Sequence, residues 1–126
     1  MKDLPTPTPR ELDILKVLWE HGPSSVRGVH HHLARPQPEL AYNTVQTLLR
    51  IMEEKGLVTH HVEGRTFVYA PCYNRDESAV RFLERVFDGA AAALVSSLLR
   101  SERISPGELD QMQSLINEAR RKKPGR

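Results

Sequence analysis

The order of the periodic segments in residues 8–71 limits the fold more than any other feature of the chain. Apolar residues recur at helical spacing in residues 9–21, 26–33 and 41–55. Two β-rich runs, LVTHHV and RTFVYA, follow directly, with Glu63-Gly64 between them, and this pattern predicts a hairpin. Three helices followed by a hairpin are typical of a winged helix-turn-helix domain. In that fold the third helix enters a DNA major groove and the hairpin, or wing, lies beside it.

Local signals place the ends of these three helices. Residues 8–11, Thr-Pro-Arg-Glu, combine a capping hydroxyl, a proline at the first position and a glutamate three residues after the cap. Gly22-Pro23 predicts the end of the first helix, and Ser24 or Ser25 can cap the second. The run ARPQPEL predicts a turn or loop, and Gly56 predicts the end of the third helix.

Residues 72–120 carry three further amphipathic patterns. Three short helices in about 50 residues have too little core to stand alone, so we expect their apolar faces to pack against a second copy of the chain. The fold is therefore predicted as mainly α with a small β-hairpin. It comprises a disordered arm (1–7), a winged helix-turn-helix domain (8–71), a helical dimerisation region (72–120) and a basic tail (121–126). The expected dimer seam consists of Phe82, Leu83, Phe87, Leu94, Leu98, Leu109, Met112, Leu115 and Ile116.

Composition excludes several classes of protein. A single cysteine, Cys72, cannot form a disulfide framework or a cysteine-based zinc site within one chain. The chain has no apolar run of about 18 residues and no apolar signal core near its start, so we expect no membrane insertion and a cytoplasmic location. The net charge is only +2, and residues 1–70 hold eight basic and eight acidic side chains. Bulk charge is therefore a weak argument for nucleic acid.

The third helix supplies a stronger argument. If Val45, Leu49 and Met52 face the core, the opposite side presents amide, hydroxyl and guanidinium groups. Amides pair with adenine, arginine pairs with guanine, and the threonine methyl contacts thymine. These base-reading candidates are Asn43, Gln46, Thr47 and Arg50.

The hairpin adds a second point of contact, and one alternative function stays open. Arg65 lies at the predicted hairpin turn, where it suits a phosphate or the minor groove. The alternative is a winged helix that docks on a partner protein without binding DNA, and the neutral charge of residues 1–70 favours it. Salt dependence distinguishes the two, because only a DNA binder releases counterions.

Long stretches of the chain resemble the penicillinase-repressor family, which has copper-responsive relatives. They are TPRELDILKVLWEHGPSSVRGVHHHL, AYNTVQTLLRIMEEKGLV, EGRTFVYAP, VFDGAAAALVSSLL and ISPGELDQM. The resemblance implies a homodimeric bacterial repressor, joined through its C-terminal helices and bound to an inverted-repeat DNA operator. By position, it implies base contacts from Asn43, Thr44, Gln46, Thr47 and Arg50, and backbone contacts from Ser25, Tyr42 and Arg65.

The resemblance also implies a mode of induction. Family members are typically cleaved by the cytoplasmic metalloprotease domain of a membrane sensor. The scissile Asn-Phe of the staphylococcal members aligns with Ser97-Leu98, so the chain departs from the family pattern at this bond.

The remaining candidates for chemistry are weak. His30, His31 and His32 point about 100° apart on a helix and cannot converge on one ion, and His60 and His61 face opposite sides of a strand. We therefore expect no metal, no cofactor and solvated histidines on the second helix, some of them near the DNA backbone. The chain has no phosphate loop, nucleophile elbow or zinc-protease motif, so we expect no enzymatic activity.

Overall fold

A computed structural model of the chain describes residues 6–33 and 40–123. Contacts divide the chain into two compact units, residues up to 78 and residues from 79. The elements in the described residues are α1 (Pro9–His21), β1 (Ser24–Ser25), α2 (Val26–Leu33), α3 (Tyr42–Lys55), β2 (Val58–Glu63), β3 (Thr66–Pro71), α4 (Arg75–Phe87), α5 (Ala91–Arg100) and α6 (Pro106–Lys122).

Side-chain caps begin the first two helices. The Thr8 hydroxyl accepts from the Glu11 backbone N–H at 3.2 Å, and the Glu11 carboxylate accepts from the Thr8 backbone N–H at 2.9 Å. These two bonds confirm the predicted capping box. The Ser25 hydroxyl accepts from the Gly28 backbone N–H at 3.1 Å, so Ser25 is the serine that caps α2.

The third helix begins one residue later than predicted, with Ala41 at the cap position and no side-chain cap. It ends where expected, because Gly56 adopts a left-handed conformation with φ 85°. This conformation lets the Leu57 backbone N–H reach the Met52 carbonyl at 2.9 Å. The chain then turns back so that Leu57 and Val58 enter the core.

The hairpin is part of a three-stranded antiparallel sheet of order β1-β3-β2. Glu63 pairs with Thr66, so the two turn residues are Gly64 and Arg65. The sequence pattern predicts Glu63-Gly64 between the strands, which is one residue too early. Gly64 has φ 67°, which a two-residue hairpin turn requires. The short strand β1 was not predicted and pairs with Tyr69 and Val68 of β3.

The core of the first unit lies between α1, α2, α3 and the base of the sheet. The predicted inner face of α3 is confirmed, because Val45, Leu49 and Met52 are fully buried. The Trp19 indole N–H donates to the Tyr73 carbonyl at 2.8 Å and ties α1 to the segment after β3. The other buried apolar residues are Ile14, Leu15, Val17, Leu18, Val26, Val29, Leu33, Leu40, Leu57, Val58, Tyr69 and Tyr73.

A buried ion pair joins the end of α3 to the start of α1. Glu11 is 2% exposed, and its carboxylate accepts from the Lys55 ammonium at 2.8 Å. Burial by itself raises the pKa of Glu11, but the hydrogen bonds from Lys55 and Thr8 and the Lys55 charge outweigh it. The pKa of Glu11 therefore lies below its ordinary value.

Because of the pair of Glu11 and Lys55, we expect the stability of the protein to depend on pH. A lowered folded pKa contributes stability that is present above the ordinary value near 4.5 and is lost as pH falls through the folded value. At neutral pH we expect Glu11→Gln to lower the free energy of unfolding by about 1–2 kcal/mol, since Lys55 stays partly solvated. The difference from the wild type should shrink below about pH 4. Urea denaturation at neutral pH and below about pH 4 measures this difference.

Glu20→Gln, at an exposed position of α1, is the control. An equal loss of unfolding free energy in this variant would contradict the role of burial.

The second unit buries none of its described apolar side chains. Among the nine predicted seam residues, Phe82, Leu98, Leu109, Leu115 and Ile116 are exposed, whereas Leu83, Phe87, Leu94 and Met112 are half-buried. Phe82 and Phe87 contact each other with ring centroids 6.2 Å apart. The isolated protomer therefore presents apolar helix faces that have no cover within this unit.

Three predicted segments fall wholly or partly outside the described residues. These are residues 1–5 of the arm, residues 34–39 of the ARPQPEL loop and residues 124–126 of the tail. Of the tail residues that are described, Arg121 and Lys122 belong to α6. No helix in the described part of the chain combines the length and apolarity needed to cross a membrane.

Candidate nucleic-acid interface

A cleft of about 700 Å³ opens between α3 and the β2–β3 hairpin. One side of α3 forms its first wall with Tyr42, Gln46, Arg50 and Glu53. These residues follow one another at intervals of three or four, which places them along a single helix face. A polar and charged strip of the predicted recognition helix therefore faces the hairpin.

The hairpin supplies the second wall with an aromatic group. The His60 ring stacks on the Phe67 ring at 4.1 Å between centroids, and the Tyr69 ring lies 5.6 Å from His60. Tyr69 is buried at the base, whereas Phe67 is 46% exposed near the open end. Arg65 and Thr66 complete this wall. The wing therefore offers a flat, partly apolar surface that ends in a guanidinium group.

The charge of the cleft differs from the neutral total of the surrounding sequence. Arg27 from α2, Arg50 from α3 and Arg65 from the turn all line it, against the single carboxylate of Glu53. No described carboxylate forms a salt bridge with any of these three arginines. The guanidinium groups are therefore available to phosphates or base edges.

The structure places the residues predicted from the sequence in two groups. Ser25, Tyr42, Gln46, Arg50 and Arg65 all line the cleft. The other three lie on the exposed surface of α3 outside the cleft lining, and they are Asn43, Thr44 and Thr47.

Ser25 has a structural task besides any contact with DNA. Its hydroxyl accepts the cap bond of α2, which leaves the hydroxyl hydrogen free to donate. A phosphate oxygen at this point would also face the positive N-terminus of α2.

Sequence reasoning missed several residues of the cleft. The alternation of β2 puts His60 on the same face as the buried Val58, and cross-strand pairing puts Phe67 on that face too. This parity was available from the sequence and identifies both rings as cleft residues. The positions of Arg27 and Glu53 depend on how α2 and the hairpin pack against α3, which no local pattern shows.

Two ionisable groups next to the cleft have raised pKa values. Burial raises the pKa of the Tyr69 hydroxyl, the Glu53 carboxylate raises it further, and Arg50 opposes both. Desolvation and the Glu53 charge likewise raise the pKa of Cys72, although the residue as a whole is exposed. At neutral pH both groups stay protonated, and Cys72 lacks the electropositive surroundings of a reactive thiol.

The prediction of solvated histidines on α2 is wrong for two of the three. His30 is half-buried, and its Nε2–H donates to the Leu40 carbonyl at 2.9 Å. The half-buried His32 stacks on His21 with ring centroids 3.6 Å apart, and only His31 is exposed. The packing of α2 against α1 and the start of α3 explains the difference. Within residues 6–33 and 40–123, no three His, Cys, Asp or Glu side chains are grouped as metal ligands.

Comparison with known proteins extends the similarity over nearly the whole chain. The profile of the penicillinase repressor family matches residues 7–118. The penicillinase repressor of Bacillus licheniformis is 31% identical over 129 residues, which cover 98% of each chain. The transcriptional regulator BlaI of Mycobacterium tuberculosis is 33% identical over 115 residues, which cover 86% of this chain and 80% of its own.

A solved structure on DNA matches part of the chain. Monomeric BlaI of Bacillus licheniformis, in complex with the blaP half-operator, superposes with a TM-score of 0.52 at 34% identity. The match covers 61% of this chain and 93% of that one. The fold with the cleft is therefore similar to a domain whose structure was solved on DNA.

Proposed function

Because the chain belongs to the penicillinase repressor family, we propose that it represses bacterial transcription by binding operator DNA through α3 and the wing. The observation that carries the proposal is the cleft, in which Gln46 and Arg50 of α3 face Arg65 of the wing. Amide and guanidinium groups at this position suit base edges and phosphates. The role is one of binding, and we assign no catalytic step to the chain.

In the proposed complex, α3 lies in the major groove and the wing lies over the backbone or the minor groove. Asn43, Thr44, Gln46, Thr47 and Arg50 read base edges. Ser25, Tyr42 and Arg65 hold the DNA backbone and set the register of the helix.

The repressor acts as a homodimer on an inverted repeat. The uncovered apolar faces of the second unit support this step, since a second copy presents the same faces. The half-sites would lie about 10 base pairs apart, or a small multiple of that distance. A dimer bound at a promoter would block access to that promoter. A protein with this role acts on the chromosome, in the bacterial cytoplasm.

We also propose that a membrane sensor protease releases the repressor by cleaving the bond between Ser97 and Leu98, which requires a local change in α5. Ser97 and Leu98 lie inside α5, and Ser97 is half-buried. A protease needs an extended strand, so this part of α5 would have to open before cleavage. The expected readout is two fragments after co-expression with the sensor, and an intact chain would rule out this bond.

A footprint of the DNA upstream of the chain's own coding sequence tests the function. We expect a protected inverted repeat that weakens as salt rises, and no protection of a scrambled duplex. No protection at low salt would overturn the repressor proposal. It would favour the alternative, a winged helix that docks on a partner protein, which the neutral charge of residues 1–70 supports.

The cleft also yields a prediction for one base-reading residue. We expect Arg50→Ala to cost about 1–3 kcal/mol in operator binding, or about 5- to 150-fold in Kd, if Arg50 pairs with a guanine. Fluorescence anisotropy on the protected duplex and on random DNA measures this change. Lys16→Ala removes an exposed cation of α1 outside the cleft and is the control. An equal loss on both duplexes would assign Arg50 to a phosphate.

A further inference from the structure

One acidic side chain lies in the cleft that we propose for DNA. Glu53 follows Arg50 by one helical turn, and its carboxylate faces the same space as three arginines. A carboxylate at this position repels phosphates, so its charge opposes the proposed function. How this charge is neutralised therefore bears on DNA binding.

His60 of β2 holds the Glu53 carboxylate directly. Its Nδ1 lies 2.7 Å from both carboxylate oxygens, so Nδ1–H donates to Glu53. The side chains are 27% and 32% exposed, and the His60 ring is fixed by stacking on Phe67. Because Nδ1 keeps its hydrogen on Glu53, the second ring nitrogen, Nε2, is the atom that gains or loses a proton.

The pair has two charge states. With Nε2 unprotonated the pair carries one negative charge, and with Nε2 protonated it is neutral. Arg27, Arg50 and Arg65 line the same cleft, and phosphates bound there would neutralise their positive charge. The titratable and charged groups that line the cleft together with His60 are Arg50 and Glu53 of α3, Tyr69 of β3, Arg65 of the turn and Arg27 of α2.

We propose that Glu53 and His60 are positioning residues of the DNA interface, which join the wing to α3 and take up a proton at His60 Nε2 when DNA enters the cleft. The proposal rests on the proposed function. The pair lies between α3 and the wing, which are the two elements that contact DNA. Phosphates bound there favour the neutral state of the pair over its negative state. We therefore expect DNA to bind more tightly at lower pH, because the neutral pair does not repel phosphates.

The exposed pair of His61 and Glu63 is a matched control. It has the same 2.7 Å contact but lies on the opposite face of β2, with side chains 56% and 67% exposed. Solvent screens this pair, so its charge should have little effect on the cleft. His61→Gln therefore keeps the wild-type response to pH.

The test is anisotropy of the full-length chain on a labelled duplex of its own upstream DNA and on a scrambled duplex, at constant salt. From about pH 6 to about pH 8 we expect the affinity of the wild type to fall about fivefold. His60→Gln keeps a hydrogen bond to Glu53 but no titratable group, so it should lose this dependence and bind at pH 6 as weakly as the wild type at pH 8. Adding Glu53→Gln to His60→Gln should restore about fivefold in affinity.

A gain in DNA affinity on adding Glu53→Gln to His60→Gln would show that the Glu53 charge weakens binding. If the pair had only a structural role, the double variant would bind DNA more weakly than His60→Gln. An unchanged pH profile in His60→Gln, or a double variant no tighter than His60→Gln, would overturn the proposal. If His60→Gln lowers the midpoint of thermal unfolding, its affinity no longer reports on charge alone. The single variant Glu53→Gln then tests the proposal. It should bind more tightly than the wild type near pH 8, and equal affinity would reject the pair. If the wild type binds neither duplex at low salt, the repressor function itself fails.

Discussion

Leu115→Asp is expected to weaken binding of the full operator by at least about 100-fold without removing any DNA contact. Leu115 lies on α6 and is 65% exposed in the protomer, so the substitution removes nothing from a core within the chain. In the proposed dimer the same side chain is buried in the seam. A carboxylate there would be desolvated without a partner, and the two protomers should separate.

The size of the effect follows from the two half-sites. When one recognition helix is bound, the dimer holds the second near its half-site, and this link adds about 100- to 10,000-fold in affinity. A monomer loses that gain. We therefore expect Leu115→Asp to weaken binding to the full operator by at least about 100-fold, while its affinity for an isolated half-site stays at the wild-type level. Light scattering measures the dimer, and anisotropy on full and half operators measures both affinities.

Ser114→Asp is the matched control for this change. It adds the same charge to the adjacent position, which faces away from the apolar stripe of α6 at 100° per residue. We expect this variant to remain dimeric and to bind the full operator normally. A monomeric Leu115→Asp that still binds the full operator as tightly as the wild type would refute the role of the dimer.

The elements whose boundaries the sequence predicted best are those with a local chemical signal. Thr8 with Glu11 caps α1, and Gly56 ends α3, in each case through bonds within a few residues. By contrast, β1 consists of two serines and has no alternation, so nothing in it predicts a strand. It exists because the β3 edge offers partners at Tyr69 and Val68.

The residues of the proposed site likewise differ in whether a local sequence pattern predicts their position. Helical periodicity predicts that Gln46 and Arg50 point away from the core, because that question concerns a single helix. The contact of Glu53 with His60 joins a helix to a strand, and its sequence signal looks like an ordinary acid at a helix end. Likewise, the bond of His30 to the Leu40 carbonyl depends on how α2 packs beside the start of α3. Contacts of this kind follow only from tertiary packing.

Leu49→Ala has the largest expected effect on stability, because it removes a fully buried side chain beneath the recognition surface. Large-to-small changes in a packed core lose both the transfer free energy and the contacts around the cavity. We expect a decrease of about 2–5 kcal/mol in the free energy of unfolding. Urea denaturation followed by circular dichroism measures it, at one fixed protein concentration because a dimer's stability depends on concentration.

Leu49 and Arg50 are neighbours on α3, so their alanine variants separate folding from recognition. Leu49→Ala should lower stability yet bind operator normally at temperatures where it remains folded, because Leu49 faces the core. Arg50→Ala should have the opposite effects, since Arg50 is exposed in the cleft. Ile51→Ala, at a position 36% exposed on the same helix, should cost less than about 1 kcal/mol. If Leu49→Ala costs no more than Ile51→Ala, the packing of α3 against the core differs from this structure.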